Sequence, residues 1–291
     1  MFDNGLHEGR LVARAITSRG CLLLLLHWIA HGPSLTTLTM FSGMSMSSVS
    51  RYLNLGLDIL FSVLKEIPEA SLDCPSSEYL GWVGDKAGET YGSVMKGCCI
   101  VTDGSLHALE KDYMAQDNFF YDEYHPDYNG WKGCYCKKGL YFFCLDGTII
   151  WYCIDCPGSW ADGAIFDRAS SFVNGLRPGL WILGDSAFAV REGKVHRIRK
   201  RGELLPSDPV RARWQLDLEM YCSKMRIASE WGVKDLKNTW RIFLNMRLAS
   251  DDGEKRKKLW LCILFLHNFR IRTMNIGQMH TVFIRDVEYN Q

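Results

Sequence analysis

The sequence predicts a mixed α/β domain preceded by a helical segment, and three observations predict it. Apolar runs of strand length crowd the middle of the chain, at residues 97–102, 139–145, 148–154 and 180–183, each bounded by turn residues. From Trp214 onward the apolar residues return to helical spacing, through the stretch around Glu230 and the apolar run 259–269. Before the strands, residues 20–67 carry three helical patterns with start and stop signals. Strands with helices interleaved and then dominant describe helices laid on a sheet, not a sandwich.

The N-terminal helices are read first. Arg10, Arg14 and Arg19 precede the apolar run 21–30 and imitate a secretory signal. The run is too short to span a bilayer and its charged lead is long, so a buried helix is the better reading and no membrane partner is expected. Gly32 and Pro33 stop that helix. Ser34 caps a short second helix bearing Leu35, Leu38 and Phe41, which Gly43 closes. Ser45 or Ser47 caps a third, with Val49, Leu53, Leu57, Leu60, Phe61 and Leu64 on one face. The short helix, turn and longer helix form a helix-turn-helix candidate whose outer surface offers Ser47, Ser48, Ser50 and Arg51 to DNA. Three packed helices without a DNA role fit the same pattern. The predicted layout is a helical segment over 1–67, a Pro-, Gly- and Ser-rich connector over 68–95, the α/β domain over 96–275 and a tail over 276–291.

Composition excludes little. A chain of 291 residues with 47% hydrophobic and 23% charged content can bury a sizeable core. The formal charge of +1 gives no global signal for a polyanion, so any such argument rests on local patches. Eleven cysteines, an odd number and several within apolar runs, argue against a disulfide framework and for a reducing compartment. Asp146-Gly147 between two strand runs is the strongest hairpin signal.

Three acidic residues carry the chemical argument. Asp103 and Asp185 each end an apolar run and precede a small residue, as carboxylates at strand tips do, while Glu230 lies in a helical stretch. Delivered together, such groups hold a pair of Mg²⁺ or Mn²⁺ ions, which clamp the attacking and leaving oxygens of a phosphoryl displacement. Asp162, in a Gly-Ser-rich loop before a helix, is either a fourth ligand or a helix cap. Cys134-Tyr-Cys136 and Cys153-Ile-Asp-Cys156 invite a zinc reading, but they sit in strand-like sequence rather than turn-rich knuckles. The basic run Lys194, Arg197, Arg199, Lys200 and Arg201 follows Asp185 and suits either phosphate contact, nuclear import or plain solvation.

With those residues in hand, the chain resembles the Harbinger-type transposases and their domesticated relatives, the DDE superfamily endonucleases. Val101-Thr-Asp-Gly-Ser-Leu-His107 is similar to the family's Ile-Asp-Gly-Thr-His segment, and Pro157-Gly-Ser-Trp-Ala-Asp-Gly163 to its Pro-Gly-Ser-x-His-Asp-Ser loop. Leu183-Gly-Asp-Ser-Ala-Phe188 resembles Leu-Gly-Asp-x-x-Tyr, and Arg226, Glu230-Trp-Gly232, Lys234 and Lys237 resemble the family's Arg-x₃-Glu helix. Leu266-His-Asn-Phe269 resembles a recurrent C-terminal helix. Ala161 stands where the loop usually has histidine, and Ser105 where threonine is usual. The resemblance implies a ribonuclease H-like catalytic domain whose metal ligands are Asp103, Asp185 and Glu230, with Asp162 auxiliary. It also implies a DNA substrate, a nuclear location, and DNA targeting shared with a Myb-like partner protein. The rival reading is a domesticated DNA- or protein-binding module that kept the fold and lost turnover.

Overall fold

The computed structural model describes residues 16–109, 125–200, 202–244 and 253–283, with the backbone alone over 223–229. The three N-terminal helices start and stop where their local signals lie. Helix α1 (Ser18–His31) is capped by Thr17 and ends at Gly32, whose φ of 61° is left-handed. Helix α2 (Leu35–Ser42) is capped by Ser34 and ends at Gly43. Ser45, rather than Ser47, caps α3 (Met46–Leu64) by accepting from the Ser48 N–H, which satisfies one of the orphan donors of a helix start.

Residues 77–91 correct the connector expected over 68–95. They form helix α4 (Ser77–Tyr91), capped by Ser76, with Leu80, Val83 and Ala87 buried. Gly81, Gly84 and Gly88 interrupt the apolar pattern and hide the helix from the sequence. A Cβ on Gly84 would stand 2.8 Å from the Cα of Gly97, so the glycine is needed for close helix–strand approach.

The sheet is built from β1 (Cys98–Ala108), β2 (Tyr128–Asn129), β3 (Cys134–Cys144), β4 (Ile149–Pro157), β5 (Trp181–Gly184) and β6 (Val195–Arg197). Strands β1, β3 and β4 form an antiparallel meander, while β5 and β6 run parallel to β1 on its other side. The result is a mixed sheet flanked by helices, the α/β architecture that the sequence predicts. The Asp146-Gly147 turn joins β3 and β4 as expected, with Gly147 at φ 92°. Two short helices, α5 (Asp162–Phe166) and α6 (Ser170–Gly175), lead into β5.

Helix α7 (Pro209–Thr239), capped by Asp208, lies against β1 and β3. A Cβ on Gly232 would come within 2.9 Å of the Phe143 ring, so this glycine lets α7 settle onto the sheet. Helix α8 (Gly253–Met274) packs on β4 and also on α3. Its Asn268 amide accepts from the Ile149 N–H and donates to the Ile149 carbonyl, each at 2.8 Å, as a neighbouring strand would. His267 Nε2 lies 3.2 Å from the Gly147 carbonyl oxygen. The Leu-His-Asn-Phe segment is therefore a clamp between α8 and the β3–β4 hairpin. Residues 278–283, expected within a tail, form helix α9 (Gln278–Phe283) and bury Met279 and Phe283. One apolar core runs from Leu24 of α1 to Phe283 of α9, so the N-terminal helices share it with the sheet. No helix among the described residues is long and apolar enough to cross a membrane.

Candidate active site

Sheet register sets two of the four expected acids side by side. In the parallel pair, Val101 of β1 lies beside Leu183 of β5. Two residues further along each chain stand Asp103 and Asp185, and a two-residue step keeps the face of a strand. Asp185 follows the end of β5, as expected of a strand tip, and its carboxylate accepts from the Ser186 N–H. Asp103 does not end its strand. It pairs with Tyr141 of β3, and β1 continues to Ala108. The correction has a simple cause: β5 stops, but the antiparallel partner on the other side holds β1 extended.

Gly104 is therefore part of the strand rather than of a turn. A Cβ there would stand 3.4 Å from Asp162 Oδ2, an ordinary contact, which places the Asp162 carboxylate beside β1. Asp162 sits in the first turn of α5, with Ala161 at the cap position and no side-chain cap. The helix-cap reading of Asp162 is thus overturned: its Oδ1 instead accepts a hydrogen bond from Lys138 Nζ at 3.0 Å. Lys138 also donates to the Trp160 carbonyl at 2.6 Å, which fixes the loop that carries Asp162.

Glu230 reaches the group from α7, on an exposed position two residues before the close-packed Gly232. Lys237 lies two turns further on. Its Nζ donates to the Leu106 carbonyl at 3.2 Å, and burial lowers its pKa while the nearby Asp103 charge raises it. His107, wholly buried beneath, is driven down to about 3 by burial and by Lys237.

The electrostatics tie the four acids together. Asp103 is pushed up to about 7, first by burial and then by the like charges of Asp185, Glu230 and Asp162, against one hydrogen bond from the Gly104 N–H. Asp103 thus feels the other three carboxylates, although among the described residues no three His, Cys, Asp or Glu side chains stand close enough to hold a metal ion as they are. An all-oxygen donor set suits a hard divalent cation. A cavity of about 700 Å³ between Tyr79, Asp146, Arg272 and His280 lies at the β3–β4 turn and contains none of these acids.

The other expected contacts lie elsewhere or are already engaged. Arg51 is exposed on α3 and sits over the Tyr52 ring; that helix packs on α1, α2 and α8 rather than on the acid-bearing strands. Arg197 binds Glu203 through two hydrogen bonds of 2.8 and 3.0 Å, and Arg199 binds Glu219 through two of 2.7 and 3.1 Å. Lys194 donates to the Leu176 carbonyl, and Lys200 is exposed. Arg201 lies outside the described residues. Two of the five expected basic residues, Arg197 and Arg199, are thus neutralised by acids that their spacing did not reveal. Sequence reasoning missed Lys138, for which the signal was a lysine within an apolar strand run.

Residues 106–268 match the family model described as DDE superfamily endonuclease, a span that begins just after Asp103 and contains Asp162, Asp185 and Glu230. The search of curated proteins returned no match. Among solved structures, the Mos1 transposase paired-end complex with left transposon end is similar at 13% identity and a TM-score of 0.23, covering 88% of this chain and 81% of that one. That likeness is too slight to carry any of the structural argument.

Proposed function

Since the chain belongs to the DDE superfamily endonucleases, we propose that it is a transposase-derived enzyme that cuts or transfers DNA strands with two Mg²⁺ or Mn²⁺ ions. The spelling of its motifs favours the Harbinger-type branch. The observation that carries the reading is the crowding of Asp185, Glu230 and Asp162 around a half-buried Asp103, whose pKa they help lift to about 7. Asp103, Asp185 and Glu230 would hold the ions, with Asp162 at the edge. Bound there, the ions supply the charge that activates water or a 3′-hydroxyl and stabilises the leaving 3′-oxygen.

The chain's own part is positioning. Register fixes Asp103 and Asp185 on neighbouring strands, and Gly232 fixes the depth of Glu230. Lys138 holds Asp162 to one side, so this carboxylate stays available without collapsing onto Asp103. Lys237 places a positive charge next to the acids, where it offsets part of their repulsion. DNA as substrate carries with it a nuclear location and, from the motif resemblance, a Myb-like targeting partner. Phosphate contact by Lys200 and Arg201 remains part of this proposal; Arg197 and Arg199 serve it less well, being held by Glu203 and Glu219.

Nicking of supercoiled DNA with Mg²⁺ or Mn²⁺ tests the reading. Asp185→Asn keeps the side chain's size but removes the charge that binds the ion, so nicking should fall at least about a hundredfold while the melt is nearly unchanged. Asp162→Asn should cost less. Equal nicking by wild type and Asp185→Asn would assign the activity to a contaminant. The second reading is a binding module without turnover, since no three of the described His, Cys, Asp or Glu side chains could hold a metal ion as they stand. It takes over if wild type never nicks, even with a Myb-like partner supplied.

A further inference from the structure

Cys153 and Cys156 are used by nothing in that reading, yet the sheet goes out of its way to bring them together. Residues three apart on a regular strand point to opposite faces. Here Leu140 pairs with Cys153 and Lys138 with Cys156, so one residue of β3 is spanned by two of β4, a bulge. The extra residue turns both cysteines to one side and leaves their sulfurs 3.3 Å apart. Asp155, inside the bulge, takes a left-handed φ of 60°. Its carboxylate is held by Arg256 through hydrogen bonds of 2.5 and 3.0 Å, with both side chains buried. A buried ion pair thus locks the backbone conformation that sets the two sulfurs face to face.

The surroundings give the two sulfurs different work. Cys153 is half-buried and Cys156 buried. Cys153 is lowered below the usual thiol range, chiefly by the hydrogen bond from Cys156 and next by the charge of Arg168, against the opposing effect of burial. Cys156 is raised by the same contact and by burial, with Asp155 adding a smaller like charge. Arg168 in turn rests 4.4 Å over the Trp160 ring, which holds its guanidinium near the strand. Buried thiols elsewhere, such as Cys99 and Cys222, are pushed up to about 12 and have no such partner. Cys136 lies beside Cys134 on β3, so the four cysteines of the zinc reading form two separate pairs.

We propose that Cys153 and Cys156 form a thiol–disulfide site oxidised by hydroperoxides, with Cys153 the attacking sulfur and Cys156 the resolving one. In the first step the Cys153 thiolate attacks the terminal peroxide oxygen; the O–O bond breaks, hydroxide or alkoxide leaves and takes up the proton that Cys153 released on ionising, and sulfur is oxidised to the sulfenic acid. In the second, the Cys156 sulfur attacks that sulfenic sulfur, the S–OH bond breaks, the Cys156 proton joins the leaving hydroxide as water, and the S–S bond forms. Two thiols and one hydroperoxide thereby give one disulfide, water, and the water or alcohol of the reduced peroxide. A dithiol reductant reverses the change by exchange. The site is independent of the metal reading, and nuclease activity is not needed to observe it.

The experiment treats the full chain with hydrogen peroxide at neutral pH, blocks remaining thiols by alkylation and maps the peptides by mass. A Cys153–Cys156 cross-link should form on the order of tenfold faster than the exposed Cys74 is lost, because Cys74 is raised rather than lowered. In Cys156→Ala the reaction should halt at a sulfenic acid on Cys153 that a dione probe captures. Cys153→Ser should remove both products. Arg168→Gln should slow the first step and Arg168→Lys restore it. Loss of Cys74 first, a cross-link through other cysteines, or no captured sulfenic acid in Cys156→Ala would each overturn the proposal; the wild-type map decides even if a variant fails to fold.

Discussion

Asp103 owes its raised pKa to burial first and to three neighbouring carboxylates after that, and the sign of the resulting pH dependence follows. Between about pH 4, where an unfolded aspartate titrates, and about pH 7, where the folded one does, the folded chain binds more protons than the unfolded one. Stability of the metal-free protein should therefore fall as pH rises through that window. Asp103→Asn removes the cost, so in the presence of a chelator it should gain about 2 kcal/mol at pH 8, discounted for partial exposure, and nothing below pH 4. Thermal melts of both proteins across pH check this. A constant difference at every pH would mean that Asp103 does not titrate against its neighbours. The residue stood out in the sequence because Asp-Gly follows an apolar run. Its position within the strand was not, since the partner that keeps β1 extended past it is β3, about forty residues away in sequence.

At the scale of elements, the legible signals were local ones. The Gly32 stop of α1, the caps of α2 and α3 and the Asp146-Gly147 turn depend on neighbours a few residues away. Helix α4 was hidden because Gly84 and Gly88 answer to packing against Gly97 and Lys96 rather than to helix propensity. Two of its glycines make opposite predictions from the same substitution. Gly84→Ala gains helix propensity but drives a methyl to within 2.8 Å of Gly97, and should destabilise by about 1–3 kcal/mol. Gly81→Ala meets nothing within 4 Å and should stabilise by up to about 1 kcal/mol. Denaturant titration of the pair checks both signs; a gain in Gly84→Ala would show that α4 does not sit so close to the strand. The basic run behind β6 teaches the same lesson. Its arginines were visible, but Glu203 and Glu219, which hold Arg197 and Arg199, are partners only in three dimensions.

Across the whole molecule, contacts between the ends of the chain were beyond sequence reading. Lys258 of α8 donates to Asp58 of α3, and Asn268 and Arg272 donate to the Ser71 carbonyl. These links fasten the N-terminal part of the chain to α8, so removing residues 16–64 should expose α8 and cost cooperative folding, not release an intact α/β domain. A calorimetric scan of the truncated chain that kept a single sharp transition near the full-length value would contradict this.

Asn268 has one more consequence, for how copies of the chain stay apart. Among the described residues strand β4 pairs with β3 alone, so its outer side is a rail of strand-unpaired amide and carbonyl groups of the kind that recruits further strands. Where Ile149 faces outward, the Asn268 amide occupies that rail as a stopper. Asn268→Leu keeps the side chain's bulk but abandons both bonds, and should leave the rail open at its start. The expected result is concentration-dependent association, seen as rising light scattering and thioflavin binding on storage at a temperature where wild type remains clear.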